Sequence, residues 1–289
     1  KPFDFFSTEK ACQAEDETDD LRMIFSYCGL YGDVLDRDIS ISCPEPLLKM
    51  YQQSGVNALW IPAVLYQLVP FLFDESYSDG WQKRQERLGE LIRLAKKYGI
   101  KIYLYLNEPR CMPNSFFDTH PELKGRWTEL YASLCTSQPA VMEYLRNGIH
   151  KLCQAVPDIG GFFVITCSEN LTHCKSRKEG EECERCRDIP VDKLVSDVLC
   201  AISEESRKVN PEIRTIAWNW SWAGFMTDEE IRSCIDKLPE QIIMMCKSED
   251  KKAFTRGGIE KTVSDYSMSV PGPSEMSKKI WRYARGKGN

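Results

Sequence analysis

The sequence predicts an α/β protein, a (β/α)8 TIM barrel that stops short of its eighth strand. Three observations predict it. Short apolar runs alternate with longer amphipathic ones along most of the 289 residues, and parallel neighbours need such a crossover between strands. Seven units of this kind in series favour a barrel over an open sheet. No strand runs into a Gly-x-Gly-x-x-Gly turn, the mark of a dinucleotide-binding sheet.

The candidate strands are 22–28 (RMIFSYC), 57–64 (NALWIPAV), 101–107 (KIYLYLN), 160–167 (GGFFVITC), 214–220 (RTIAWNW), 241–246 (QIIMMC) and 261–270 (KTVSDYSMSV). The helices between them carry stop signals in the right places. The spacing predicts 46–53 ending at Gly55, 82–97 ending at Gly99, 138–155 before Pro157 and 191–209 before Pro211. A helix over 226–237 has an acidic first turn and stops before Pro239, and another spans 274–285. The chain then ends at GKGN, where strand eight is expected, so residues 21–289 read as a barrel incomplete at its carboxyl end. Residues 1–20, with the acidic run EDETDD, read as a linker from an upstream domain.

Composition narrows the class. Hydrophobic residues make up 42% and charged residues 28%, ordinary for a globular domain. A net charge of −5 argues against a general nucleic-acid binder. No apolar run approaches the roughly 20 residues of a membrane helix, and the start lacks the pattern of a secretory signal. Thirteen cysteines is an odd number, which points to a reducing, cytoplasmic setting. Cys28, Cys153, Cys200 and Cys246 sit in apolar periodic stretches and read as core residues.

In a parallel barrel the active site lies at the carboxyl ends of the strands. Strand three there carries Asn107-Glu108-Pro109-Arg110, strand four Ser168-Glu169-Asn170, strand six Ser248-Glu249-Asp250 and strand seven Ser264-Asp265-Tyr266. Strand five adds Trp218, Trp220 and Trp222 at period two, hence on one face. Carboxylates beside an aromatic stripe suit sugar chemistry. One carboxylic acid protonates the departing glycosidic oxygen, and a second carboxylate attacks the anomeric carbon or activates water. Glu169 is the expected general acid, because it ends a strand buried on both faces and desolvation raises a carboxyl pKa. Asp265 is the expected opposing carboxylate, with Glu249 in reserve. Glu108, Arg110, Asn170, His173, Trp218, Trp220 and Tyr266 are expected to shape the sugar subsite, with Glu108 also able to orient Arg110.

Past Glu169 comes Cys174-x8-Cys183-x2-Cys186 in a charged loop. The Cys-x2-Cys knuckle with a third cysteine nearby suggests a structural zinc held by Cys174, Cys183 and Cys186. For the fourth ligand His173, Cys111 and Cys135 are all open; reduced thiols or a redox role are the other readings.

The strings YLNEPR, LCTS, ITCSENLTHC followed by CERC, RGGI and DYSMSVPGP resemble a group of bacterial barrel proteins classed broadly as glycoside hydrolases, near the β-hexosaminidase-like barrels. The similarity runs from about Arg22 to the end. It implies a TIM-barrel glycosidase with Glu169 in the active site and N-acetylhexosaminides as substrates. Two departures matter: that group carries Glu where Asp265 stands, and an aromatic residue where Asp250 follows Glu249. Family 20 hexosaminidases also place an Asp before the strand-four Glu to orient the acetamido group, whereas Ser168 precedes Glu169 here. The expected protein is therefore a glycoside hydrolase with a carbohydrate partner, no nucleic acid and no membrane. A non-catalytic glycan-binding barrel and a zinc-dependent hydrolase are the alternatives.

Overall fold

The computed structural model describes residues 20–25, 33–168, 170–178, 180–263, 267 and 269–289. Six strands form one parallel sheet: β1 (Met23–Phe25), β2 (Ala58–Pro62), β3 (Lys101–Leu106), and, after a small separate sheet, β7 (Gly161–Ile165), β8 (Arg214–Trp218) and β9 (Ile242–Met245). Their order is β1-β2-β3-β7-β8-β9, so every strand pairs with the next one along the chain. A doubly wound sheet would reverse direction at a switch point. This one does not, and the sheet curls into a half-barrel.

Helices α1 (Ile39–Ser42) and α2 (Glu45–Gln53) lead into β2, and α3 (Trp81–Lys96) into β3. Helix α4 (Pro139–Ala155) precedes β7, α5 (Val191–Val209) precedes β8, α6 (Trp222–Phe225) and α7 (Asp228–Lys237) precede β9, and α8 (Glu275–Lys287) closes the order. The helices expected from sequence are found within a residue or two of their bounds, the ordinary uncertainty of helix ends. Start signals explain several of them. Pro139 occupies the first turn of α4, and Thr227 with Glu230 forms a reciprocal capping box on α7.

Successive strand residues face opposite sides. Leu59, Ile61, Ile102, Leu104, Phe162 and Val164 point outward into the main core with Leu88, Leu91, Leu145, Ile149, Val198 and Ile202 of the helices. Each such side chain, once buried, contributes roughly 1.5–3 kcal/mol before entropy is counted. The inner face is a second, aromatic cluster of Ala58, Tyr103, Phe163 and Ile216, flanked by Trp60, Tyr105, Trp218, Ile243 and Met245.

Three expectations need correction. Only six strands join the parallel sheet among the described residues. The predicted seventh begins in a two-stranded antiparallel hairpin, β10 (Ala253–Arg256) and β11 (Ile259–Thr262). Gly257 and Gly258 both take positive φ (60° and 76°) in its two-residue turn, which suits the right-handed twist of a hairpin. Residues 264–266 and 268 of that predicted strand lie outside the described residues, as do residues 1–19 of the expected linker. Second, the β3–α4 segment builds an unpredicted antiparallel sheet, β4 (Met112–Pro113), β5 (Lys124–Trp127) and β6 (Tyr131–Leu134), ordered β4-β6-β5. Its strands of two to four residues are too short to show a period.

Third, the tryptophan stripe breaks. Ser221 has φ 60° and ends the extended chain, so Trp222 opens α6 and turns into the main core, fully buried. Its Nε1 donates to Thr166 Oγ1 at 3.0 Å. Trp218 stays on the inner face, stacked on Phe163 at 5.2 Å between centroids, with Trp220 edge-on to it at 4.5 Å. No helix among the described residues is long and apolar enough to cross a membrane.

Gly161 starts β7 at φ 154°, and a Cβ there would overlap the backbone carbonyl of Arg214 on the neighbouring strand. Gly161→Ala is therefore expected to cost about 3 kcal/mol or more. Gly224→Ala, with nothing near its Cβ position, should change stability by no more than about 0.5–1 kcal/mol. Urea unfolding of both variants checks the contrast.

Candidate active site

The carboxyl ends of β2, β3 and β7 meet around two adjoining clefts. One, of about 590 Å³, is lined by Tyr66, Tyr77, Arg110, Tyr131, Asn170 and Arg177, among others. The other, of about 460 Å³, includes Pro62, Ala63, Tyr105, Asn107, Arg110 and Asn170. Arg110 and Asn170 belong to both and stand where the clefts join. Their sizes fall in the range of small-ligand sites.

Asn107 builds that junction. It is buried at the end of β3, and its Nδ2 donates to Ile165 O and to Ser168 Oγ, each at 3.1 Å. Its Oδ1 accepts from Asn170 Nδ2, also at 3.1 Å. Arg177 Nε donates to Ser168 O at 2.8 Å. The end of β3 is thus laced to the end of β7 by amides that satisfy one another, as buried polar groups must be.

Glu108 is fully buried. Its Oε1 accepts from Leu65 N at 2.8 Å and its Oε2 from Arg110 N at 2.7 Å. The carboxyl therefore anchors the turn after β2 and presents Arg110, the orienting half of its expected role, and it lines neither cleft. Burial raises its pKa to about 7, against the lowering effects of the two N–H donors and the Arg110 guanidinium. Glu108 in turn lifts the Tyr66 and Tyr144 phenols, after burial itself.

The remaining sequence candidates divide. Glu169, Asp265 and Tyr266 lie outside the described residues; Ser168 and Asn170, the chain neighbours of Glu169, both take part in the junction. Glu249 Oε2 accepts from the Ser248 hydroxyl and Oε1 from Ser267 N at 3.0 Å. These bonds hold its pKa below the usual carboxylate value, so it stays ionised. It lines neither cleft, and nor do Trp218 and Trp220. His173 is a clear departure. It is fully buried, its Nδ1 accepts from Lys175 N at 3.2 Å, and its Nε2 lies 3.8 Å from Cys167 Sγ. Burial pushes its pKa down to about 3. The histidine packs the interior and does not reach the open cleft.

Sequence reasoning missed several contributors. Tyr66, Tyr77 and Tyr131 line the larger cleft, but they sit on 3-10 turns or a short strand without any motif. Arg126 on β5 is also buried: its Nε donates to Cys174 O at 2.8 Å, and its NH1 to Lys178 O at 2.9 Å and to Gly180 O at 3.1 Å. It thereby pins the β7–α5 loop to the small sheet. Beyond β9, Lys247 and Asp250 are buried together with Nζ and Oδ1 3.6 Å apart, and the Lys247 ammonium stands 5.2 Å from the Trp220 ring.

Cys135, Cys174, Cys183 and Cys186 form the one cluster of potential metal-ligating residues found among the described residues, with all four sulfurs within 4.8 Å of one another. The three sequence candidates are thus brought together, and Cys135, at the end of β6, joins them in preference to His173 or Cys111.

No family model matches the sequence. No curated protein matches it. In fold, the chain is similar to the tandem GH20 catalytic modules of the pneumococcal exo-β-D-N-acetylglucosaminidase StrH, at 9% identity and a TM-score of 0.52 over 92% of this chain and 62% of that one. A second structure of pneumococcal StrH gives 10% identity and a TM-score of 0.52, over 93% of this chain and 62% of that one. The Vibrio harveyi GH20 exo-β-N-acetylglucosaminidase is similar at 11% identity and a TM-score of 0.45, over 78% of this chain and 41% of that one. The chain spans between two fifths and three fifths of the length of these structures. At such identities the likeness to the two StrH structures shows the fold alone, a barrel architecture.

Glu108 generates a pH prediction. Its folded pKa, about 7, lies above the ordinary 4.5, so between those values the folded form holds the extra proton. Stability is then lost as pH rises through this window. The span corresponds to roughly 3 kcal/mol. The stability of Glu108→Gln relative to the parent should therefore be constant below about pH 4.5 and rise by that order by pH 8. A flat difference across the range in denaturant titrations would contradict the buried-acid assignment.

Proposed function

We propose that this chain is a glycoside hydrolase module that acts on N-acetylhexosaminides in the cleft shared by Arg110 and Asn170. The observation that carries the reading is that cleft. It opens at the carboxyl ends of consecutive parallel strands, has the volume of a small-ligand site, and is lined by tyrosine faces beside two arginines. Among the described residues neither Arg110 nor Arg177 forms an ion pair; Arg177 spends its Nε on Ser168 O, which leaves its terminal nitrogens and the Arg110 guanidinium fork for sugar oxygens. The shared fold with GH20 N-acetylglucosaminidase modules supports the substrate class by analogy.

In this reading Glu169 is the general acid that protonates the departing oxygen, and its chain neighbours on both sides belong to the cleft junction. The second carboxylate in this reading is Asp265, with Glu249, which lines neither cleft, in reserve. The ionised state of Glu249 suits attack or charge stabilisation and not proton donation. Ser168, at the position where family 20 enzymes carry Asp, has its hydroxyl engaged by Asn107 and by Asn170 N. The acetamido group must therefore find its orienting partner elsewhere in the cleft, and Arg110 and Tyr131 are the side chains placed to hold the ring.

Aryl β-N-acetylhexosaminides test the proposal. Glu169→Gln is expected to lower kcat by roughly a hundred- to ten-thousand-fold with its fold intact. Arg110→Ala should mainly raise KM. Turnover that persists in Glu169→Gln would remove the acid assignment. Sugar binding by calorimetry without any turnover in the parent would favour a non-catalytic glycan-binding barrel.

A further inference from the structure

We propose that Cys135, Cys174, Cys183 and Cys186 bind one zinc ion, and that this ion staples the two walls of the candidate cleft together. The inference goes beyond the glycosidase reading and does not depend on it.

The four sulfurs converge as a metal site requires. Cys135 Sγ lies 3.7 Å from Cys183 Sγ and 3.6 Å from Cys186 Sγ. A regular tetrahedron with zinc–sulfur bonds of 2.3 Å has sulfur–sulfur edges of about 3.8 Å. The separations therefore match a shared central ion and are far too long for a disulfide, whose S–S distance is about 2.05 Å. All four are free thiols and all are buried, in a pocket closed by Leu194 and Ile189.

The surroundings suit thiolates. Arg185 Nε donates to Cys135 Sγ at 3.4 Å, Ser133 Oγ to Cys174 Sγ at 3.7 Å, and Ser137 Oγ is 3.1 Å from Cys186 Sγ. Such outer contacts orient ligands and offset their charge. On binding, the thiols release up to four protons and the Zn(S)4 centre carries two negative charges, beside the Arg185 guanidinium. Gly125 leaves the approach open, since a Cβ there would press on Cys174 Sγ at 2.6 Å. Four sulfur ligands leave no open position, so the ion would be structural and would not activate water.

The place of the site gives it a task. Cys135 follows β6, in the sheet that carries Tyr131 and Thr128 on one wall of the cleft. Cys174, Cys183 and Cys186 belong to the loop that carries Asn170, Leu171 and Arg177 on the other. A single ion joins both.

Elemental analysis of the purified full chain decides the matter. About one zinc per chain is expected, falling to below about a tenth in Cys135→Ser, while Cys200→Ser keeps the parent value. If Cys135→Ser fails to fold, cobalt substitution of the parent serves instead, with tetrahedral d–d bands and thiolate charge-transfer absorption expected. Iron as the bound metal, no metal with all four thiols free to react, or a mass lower by four hydrogens from two disulfides would each overturn the proposal.

Discussion

The docking of one long loop governs the cleft. From Thr166 to Pro190 the chain leaves β7 and reaches α5 with, among the described residues, a single short 3-10 turn of regular structure. A segment of that length cannot bury a core of its own, and fixing it costs conformational entropy at every residue. The compensation is polar and concentrated. Arg126, buried, gives hydrogen bonds to the backbone carbonyls of Cys174, Lys178 and Gly180, and four sulfurs meet a few residues away. Trp127 and Glu181 add a backbone bridge. Asn170 and Arg177 hold their places in the cleft because the loop between β7 and α5 is held in this way.

The strand ends supply the rest of the site by a similar economy. Asn107 and Glu108 are adjacent just past the end of β3 and stand side by side in the sequence, yet they do different work. Asn107 ties β3 to β7 through its amide, while Glu108 ties β3 to the turn after β2 and aims Arg110. Both are buried, and the buried carboxyl pays a desolvation penalty that appears as its raised pKa. Arg110 is left as the cation at the join of two clefts. A cleft with arginine forks, amides and tyrosine rings offers hydrogen-bond donors and apolar faces together, the pairing that a pyranose ring presents in return.

Much of the architecture was legible because the barrel repeats its signal. Short apolar runs between helices with proline and glycine stops predict seven parallel strands; six of them form the sheet, in sequential order, and the helices follow. Where the period failed, the reading failed. The apolar pattern assigns Lys261 and Thr262 to a barrel strand, whereas Gly257-Gly258 just ahead of them turns the chain into a hairpin. Trp222 matched the two-residue spacing of Trp218 and Trp220, but a left-handed Ser221 reverses the chain first. The antiparallel sheet from β4 to β6 left no trace in the hydrophobic pattern, and with it went Arg126 and Tyr131, while Cys135 stood only as one of three open fourth ligands.

By itself the sequence determined the strand order, the helix limits and the chemical kind of the strand-end residues. These depend on local period and on chain order, which a linear reading contains. Only the tertiary structure decided which candidates share a space. It chose Cys135 over His173 and Cys111, turned His173 and Glu108 inward, and set Arg110 and Asn170 at one junction. Such choices rest on contacts between residues about forty to sixty positions apart, and no local pattern records a distance across a fold.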